Sequence, residues 1–400
     1  MGEFEEFAVA LFEQLSAEIN AEKEIVKLAD KAKESIPFKV KFEELEKISQ
    51  KLFPELKKKA EGFLGIKISD GLKIEFPDLI ELKKIKGEKI FSDEKSTEYV
   101  RELFDAVANE DNQTIVKLMQ RDMAKYLVFS TYAIQYISKI STTYGDYLDS
   151  VIYLNKFILS RYPLIILYRQ GEPFEEGFEN VNSSYLGAVK YTIISRLIHS
   201  AQKKLEQLYK NSAMQVNLIN EELARIILDL DNQSANILSD YLQIQDVPDE
   251  FPFTKKANLF FFLNPDHFLL EQIGTDVMTL TNVEIDPKIS EIIPQISDIY
   301  KRWLQPIQQS YESFTILEGM AEFVTENILK DDNDFQNYQD TFRDKDSSTY
   351  KIRQNTGKEF TKICYEKFGR SSFRHIMENP PTASEIKEPQ LYLKSSRVKI

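Results

Sequence analysis

Five residues in two short stretches could do chemistry together: Ser195, Arg196 and His199 in YLGAVKYTIISRLIHSAQ, and Glu318 and Glu322 in FTILEGMAEFV. Ser195 and His199 are four positions apart, so on a helix they share a face. Two imidazoles at that spacing, with a glutamate after the first, make H-E-x-x-H, a zinc-binding pair with a general base beside it. In this chain the first imidazole position holds Ser195 and the base position holds Arg196. An alcohol is a poor zinc ligand beside imidazole, thiolate or carboxylate. Arginine stays protonated and cannot act as a base. Glu318 and Glu322 are one turn apart among Ile316, Leu317, Met320 and Val324, an apolar setting in which a carboxylate needs a partner.

Other candidates are fewer. His267 precedes Glu271 by four positions and Asp276 by nine, a spacing that can hold a metal on a helix. His375 lies in FRHIMENPP. Cys364 sits in a helical pattern, KEFTKICYEKF, where a lone thiol reads as packing. The chain has no Gly-rich phosphate loop and no G-x-S-x-G elbow.

These residues need a scaffold, and the patterning makes it mainly α with a small antiparallel β element, an α+β chain. Residues 1–60 read as an N-terminal helical segment, with Phe4, Phe7, Leu11, Leu15 and Ile19 at three- and four-residue steps. Residues 61–92 read as a small β module or linker, because IKI, LKIEF and LIELKKIK alternate apolar and charged residues between glycines. Residues 93–400 read as one helical domain. Within it, helical periodicity covers Thr97–Met119 and Asp122–Tyr144 and continues through Asp146–Leu159. YPLIILY at Tyr162–Tyr168 reads as a buried strand, and GEPFEEGFENVNSS as a polar loop with Ser183 or Ser184 capping the helix that carries His199. That helix has an apolar stripe through Leu186, Val189, Ile193 and Leu197, widened by Ile194 and Ile198, and should be central and buried. Residues 287–311 and Thr315–Lys330 read as separate helices, with Gly319 and Ala321 small enough for another backbone to come close. DDNDFQNYQDTFRDKDSS reads as a solvated loop or irregular helix. The Pro-rich tail NPPTASEIKEPQLYL reads as extended.

Composition narrows the function classes. The 400 residues are 42% hydrophobic and 12% aromatic, enough for a packed core. A net charge of −13 repels phosphate backbones and anionic lipid, so nucleic acid and membrane surfaces are poor partners. No apolar run approaches the roughly 20 residues that span a bilayer. The single cysteine and an acidic N-terminus without a basic leader region fit a cytoplasmic protein.

Taken in order, SRLIHSAQ, LEGMAEF and PPTASEIKEPQLYL resemble the gluzincin type of zinc metallopeptidase. There the first helix reads like H-E-L-x-H-A-L-Q, and the glutamate of E-G-x-A is the third zinc ligand. The resemblance runs over roughly residues 160–395 through these three islands, and the last is one residue shorter than the family form. It implies that His199 and Glu318 stand at metal-ligand positions, with Ser195 and Arg196 in place of the other ligand and the base. Two ligands do not make a catalytic zinc site, which uses three protein ligands and an open position. The expectation is therefore a catalytically inactive homologue with no cofactor and a structural or binding role toward a peptide or protein. Arg196 would pair with Glu318 or Glu322 in place of the metal, or else extend to solvent. Two alternatives stay open: an active metallopeptidase with substituted ligands, zinc being retained through His267 or other residues, and an unrelated helical interaction protein.

Overall fold

A computed structural model describes residues 2–89, 92–137, 140, 143–244, 247, 251–266, 274–342 and 349–395. The elements run α1 (Glu3–Ser35), α2 (Leu45–Leu64), β1 (Lys73–Glu75), α3 (Leu79–Glu88), α4 (Glu94–Ala108), α5 (Asn112–Arg121), α6 (Met123–Ile137), β2 (Gly145–Leu148) and β3 (Val151–Leu154). They continue with α7 (Lys156–Gln170), α8 (Phe174–Ala201), α9 (Lys203–Leu228), α10 (Asn232–Tyr241), α11 (Pro252–Leu263), α12 (Pro287–Ile292) and α13 (Ile296–Leu329). The last are α14 (Asn333–Thr341), α15 (Thr349–Phe368), α16 (Ser371–Glu378), α17 (Ala383–Lys387) and α18 (Pro389–Lys394). The protein is mainly α with one small sheet. Among the described residues no helix is long and apolar enough to cross a membrane.

The chain divides into two compact units. The first gathers Met1–Ser16, Lys83–Ile137 and Leu208–Glu312, and the second gathers Ala17–Leu82, Ser138–Gln207 and Ser313–Ile400. In the second unit α8 is the central helix. Val189, Ile193, Ile194, Leu197 and Ile198 are fully buried, as the wide apolar surface of this segment predicts. It packs against α2, α7, α14 and strand β2. The crossing with α14 is close at Gly187, where a Cβ would stand 2.0 Å from the Asp334 carbonyl oxygen. Lys190 fixes that crossing through Asp332 and Asp334, each 2.7 Å from its ammonium.

The sheet has the order β1-β3-β2. β2 and β3 form an antiparallel hairpin with Leu148 opposite Val151, and β1 pairs in parallel with β3, Ile74 opposite Ile152. Asp149 and Ser150 turn the hairpin with φ of 47° and 68°, the left-handed pair that a two-residue turn needs. Residues 145–154 are thus strand where helical periodicity was expected. Asp-Ser is a weaker turn signal than Asn-Gly or Asp-Gly, and the apolar spacing fits either period.

Several other local expectations are corrected. LIELKKIK is α3, not a strand, because Asp78 and Glu81 cap it reciprocally: Glu81 N–H donates to Asp78 Oδ1 at 2.8 Å, and Asp78 N–H to Glu81 Oε2 at 3.0 Å. YPLIILY lies within α7, started by Asn155, whose side chain accepts the Phe157 N–H at 3.1 Å. A short apolar run fits a buried helix as well as a strand. The segment taken for a polar loop is the first half of α8. Phe174, Phe178, Val181 and Tyr185 give it an apolar stripe, and Glu175 and Glu176 favour its N-terminus. Ser184 is therefore no cap; its hydroxyl donates to the Asn180 carbonyl one turn back at 2.9 Å. Residues 296–329 form one helix through Pro306, not two. The segment beginning DDNDFQ contains α14. The tail forms two short helices, the first opened by a Thr382–Glu385 capping box.

Candidate functional site

The predicted residues come from α8 and from the part of α13 that follows Glu312, all within the second unit. On α8, Tyr191, Ser195 and His199 follow one another at four-residue steps, with Gln202 at the helix C-cap. On α13, Glu318, Glu322 and Glu326 do the same. At this contact the helices run in opposite senses: Gln202 Nε2 donates to the Leu317 carbonyl at 3.2 Å, His199 meets Glu318, and Tyr191 meets Glu322. A polar seam therefore crosses an otherwise apolar interface, bordered by Ile316, Met320 and Val324, all fully buried.

The two predicted ligand positions are brought together. His199 Nε2 lies 3.6 Å from Glu318 Oε1, with the side chains 10% and 12% exposed. Ser195 is buried one turn earlier on α8, and Arg196 beside it is half-buried. Glu322 is the most enclosed of the acids, its side chain 1% exposed. Its Oε2 accepts the Tyr191 hydroxyl, and its Oε1 stands 3.7 Å from the Lys351 ammonium on α15. The Tyr191 ring is stacked on Phe335 of α14 at 6.0 Å between centroids and 7° between planes. One turn further along α13, Glu326 pairs with Lys358, also from α15.

α15 can reach the seam because it crosses α13 backbone to backbone. A Cβ on Gly319 would stand 2.2 Å from the Gly357 carbonyl carbon, and one on Gly357 would stand 1.9 Å from the Thr315 carbonyl oxygen. The glycine of the LEGMAEF motif thus serves close helix packing, as its small size suggested.

Sequence reasoning missed Tyr191 and Lys351. Tyr191 was within reach of it, since it lies four residues before Ser195 on the same stripe. Lys351 carried no signal: a lysine in a charged amphipathic helix reads as solvated. His267 and Glu271 are outside the described residues, as is the side chain of Asp276. His375 packs against Tyr392, with ring centroids 5.8 Å apart. Cys364 is fully buried, and burial pushes its thiol pKa up to about 12, as suits a packing residue.

The first unit holds a second polar cluster. Asp266 accepts the Trp303 indole N–H on Oδ1 at 2.7 Å, the Asn220 amide on Oδ2, and the Tyr132 hydroxyl. Loss of solvation raises its pKa from 3.8 to about 6 against the opposing pull of these three donors.

The donor set of the seam does not fit a catalytic zinc ion. It offers one imidazole and one carboxylate at the predicted ligand positions, an alcohol at the third and a guanidinium where a base was expected. Among the described residues no group of three or more His, Cys, Asp or Glu is placed to share a metal ion. No protein-family model, curated protein or solved structure matches the chain.

Proposed function

We propose that this protein is a non-catalytic relative of the gluzincin zinc peptidases, whose metal-bearing helix pair survives as a structural or peptide-binding core. The observation that carries this is the 3.6 Å approach of His199 to Glu318 across α8 and α13. These residues are 119 apart in sequence, stand at positions that match the family's metal ligands, and meet on facing helices. Gln202, the last residue of the H-E-x-x-H-like stretch, fixes the same crossing through Leu317. Peptide hydrolysis would need a base beside the first ligand, and loss of such a base alone reduces rate by about 10²–10⁴. Arg196 supplies none and places a cation there instead. The role left to the scaffold is to bind a peptide or protein, or to hold the second unit together.

The test is reversion. Ser195→His with Arg196→Glu restores the motif, and the purified variant should bind about one zinc per chain by mass spectrometry of metal content. The wild-type protein, treated identically, should bind far less than one. A folded revertant that takes up no more zinc than wild type overturns the family assignment.

A further inference from the structure

The disagreement between the seam and a zinc site has a structural counterpart. A carboxylate as enclosed as Glu322 has lost its hydration and must be compensated locally. In a metal centre that compensation comes from the cation. Here each oxygen of Glu322 has a protein group beside it, the Tyr191 hydroxyl at one and the Lys351 ammonium, 3.7 Å away, at the other. Glu318 has His199 beside it, and Glu326 has Lys358. Every carboxylate of the α13 stripe thus faces a group able to donate a proton or carry positive charge, and two of these are lysines of α15.

We propose that the seam is complete without a metal, and that Lys351 is the residue that has taken over the role of the cation, acting with Tyr191 on Glu322. Its comparison with zinc rests on the family reading above, whereas the charge compensation rests on the distances. α15 is the element that makes this possible. Its Gly357 lets it lie directly on α13 at Thr315 and Gly319, close enough for a lysine to reach a carboxylate that solvent barely touches. α14 completes the arrangement by holding the Tyr191 ring against Phe335. The seam should therefore be indifferent to divalent metal and sensitive to Lys351.

Two measurements on the full chain decide it. In the first, thermal unfolding of the wild-type protein is followed with a chelator and with excess zinc. Neither should move the midpoint by more than about 1 °C, because a ligand that does not bind the folded state does not stabilise it. A zinc-dependent rise or a chelator-dependent fall of several degrees overturns the proposal. In the second, Lys351→Met, Glu322→Gln and the double variant form a cycle. Each single change should lower the midpoint by roughly 5 °C or more, and the double should fall no further than the worse single. Additive losses would mean that the two side chains do not compensate each other, and the proposal would fail. Should Lys351→Met not fold, Lys351→Arg serves in its place. It keeps the charge and should fold within about 2 °C of wild type, and its failure to fold also overturns the proposal. The cycle can succeed whether or not the revertant binds zinc, so the two tests fail independently.

Discussion

Glu322 in the second unit and Asp266 in the first each hold a carboxylate away from water, and the groups around them differ in charge. Glu322 has a phenol on one oxygen and an ammonium near the other. Among the described residues Asp266 has three neutral donors, an indole, an amide and a phenol. A cation compensates charge as well as a lone pair. Neutral donors compensate only lone pairs, and burial then moves the equilibrium toward the protonated acid, which is why Asp266 has its pKa raised to about 6. The difference teaches what each environment can compensate: the one around Glu322 includes a positive charge, whereas the donors on Asp266 are dipoles.

The comparison is broken most forcefully by deleting one partner at each place. Lys351→Met takes the ammonium away from an enclosed carboxylate and should cost about 3–5 kcal/mol of stability at neutral pH. Asn220→Ala removes one of three donors from Asp266 and should cost about 1–3 kcal/mol, because the acid can respond by protonation. Urea unfolding of both variants at pH 7 gives the order directly. If the Asn220 variant loses more than the Lys351 variant, the distinction between a charged and a neutral environment is wrong.

A pH series sharpens the same contrast. Asp266 is raised from 3.8 to about 6. Between those values the folded protein holds a proton that the unfolded chain has released. The stability contributed by the protonated form is full below about pH 4 and lost as pH rises through about 6, a total of about 3 kcal/mol. Asp266→Asn removes this dependence, so the gap between variant and wild type should shift by about that much from pH 4 to pH 7. Parallel stability curves for the two proteins would contradict the raised pKa.

Much of the seam was legible because it is local. Ile316, Met320 and Val324 recur at helical steps around Glu318 and are all fully buried, so an acid in their midst had to be explained. The i,i+4 pairing of Ser195 with His199 needed only a helix. What was not legible depends on distant partners or on ambiguous local signals. YPLIILY is apolar throughout, and a uniformly apolar run has no period to read. The Asp149–Ser150 turn lacks the glycine that marks most left-handed pairs. Lys351 and Asp266 have ordinary neighbours in sequence, and their roles come from helices brought to them by packing at Gly357 and by the burial of Trp303. Long-range burial of this kind leaves no trace in periodicity.

The smallest expected effect concerns Arg196, which follows Ser195 on α8. It is half-buried, and its long aliphatic stem can cover the apolar face of α8. Glu318 and Glu322 each have a group beside them from elsewhere, His199 and Lys351. If Lys351 and not Arg196 is the seam's cation, Arg196→Ala should lower stability by about 1 kcal/mol or less, mostly through lost packing of the stem. Arg196→Met, which keeps the stem and drops the charge, should recover most of that loss. A cost of about 3–5 kcal/mol for both substitutions is the signature of a buried ion pair broken on one side. In that event the guanidinium would be the seam's cation and Lys351 an accessory to it, and the double variant Arg196→Met with Glu322→Gln would be less damaging than Arg196→Met alone.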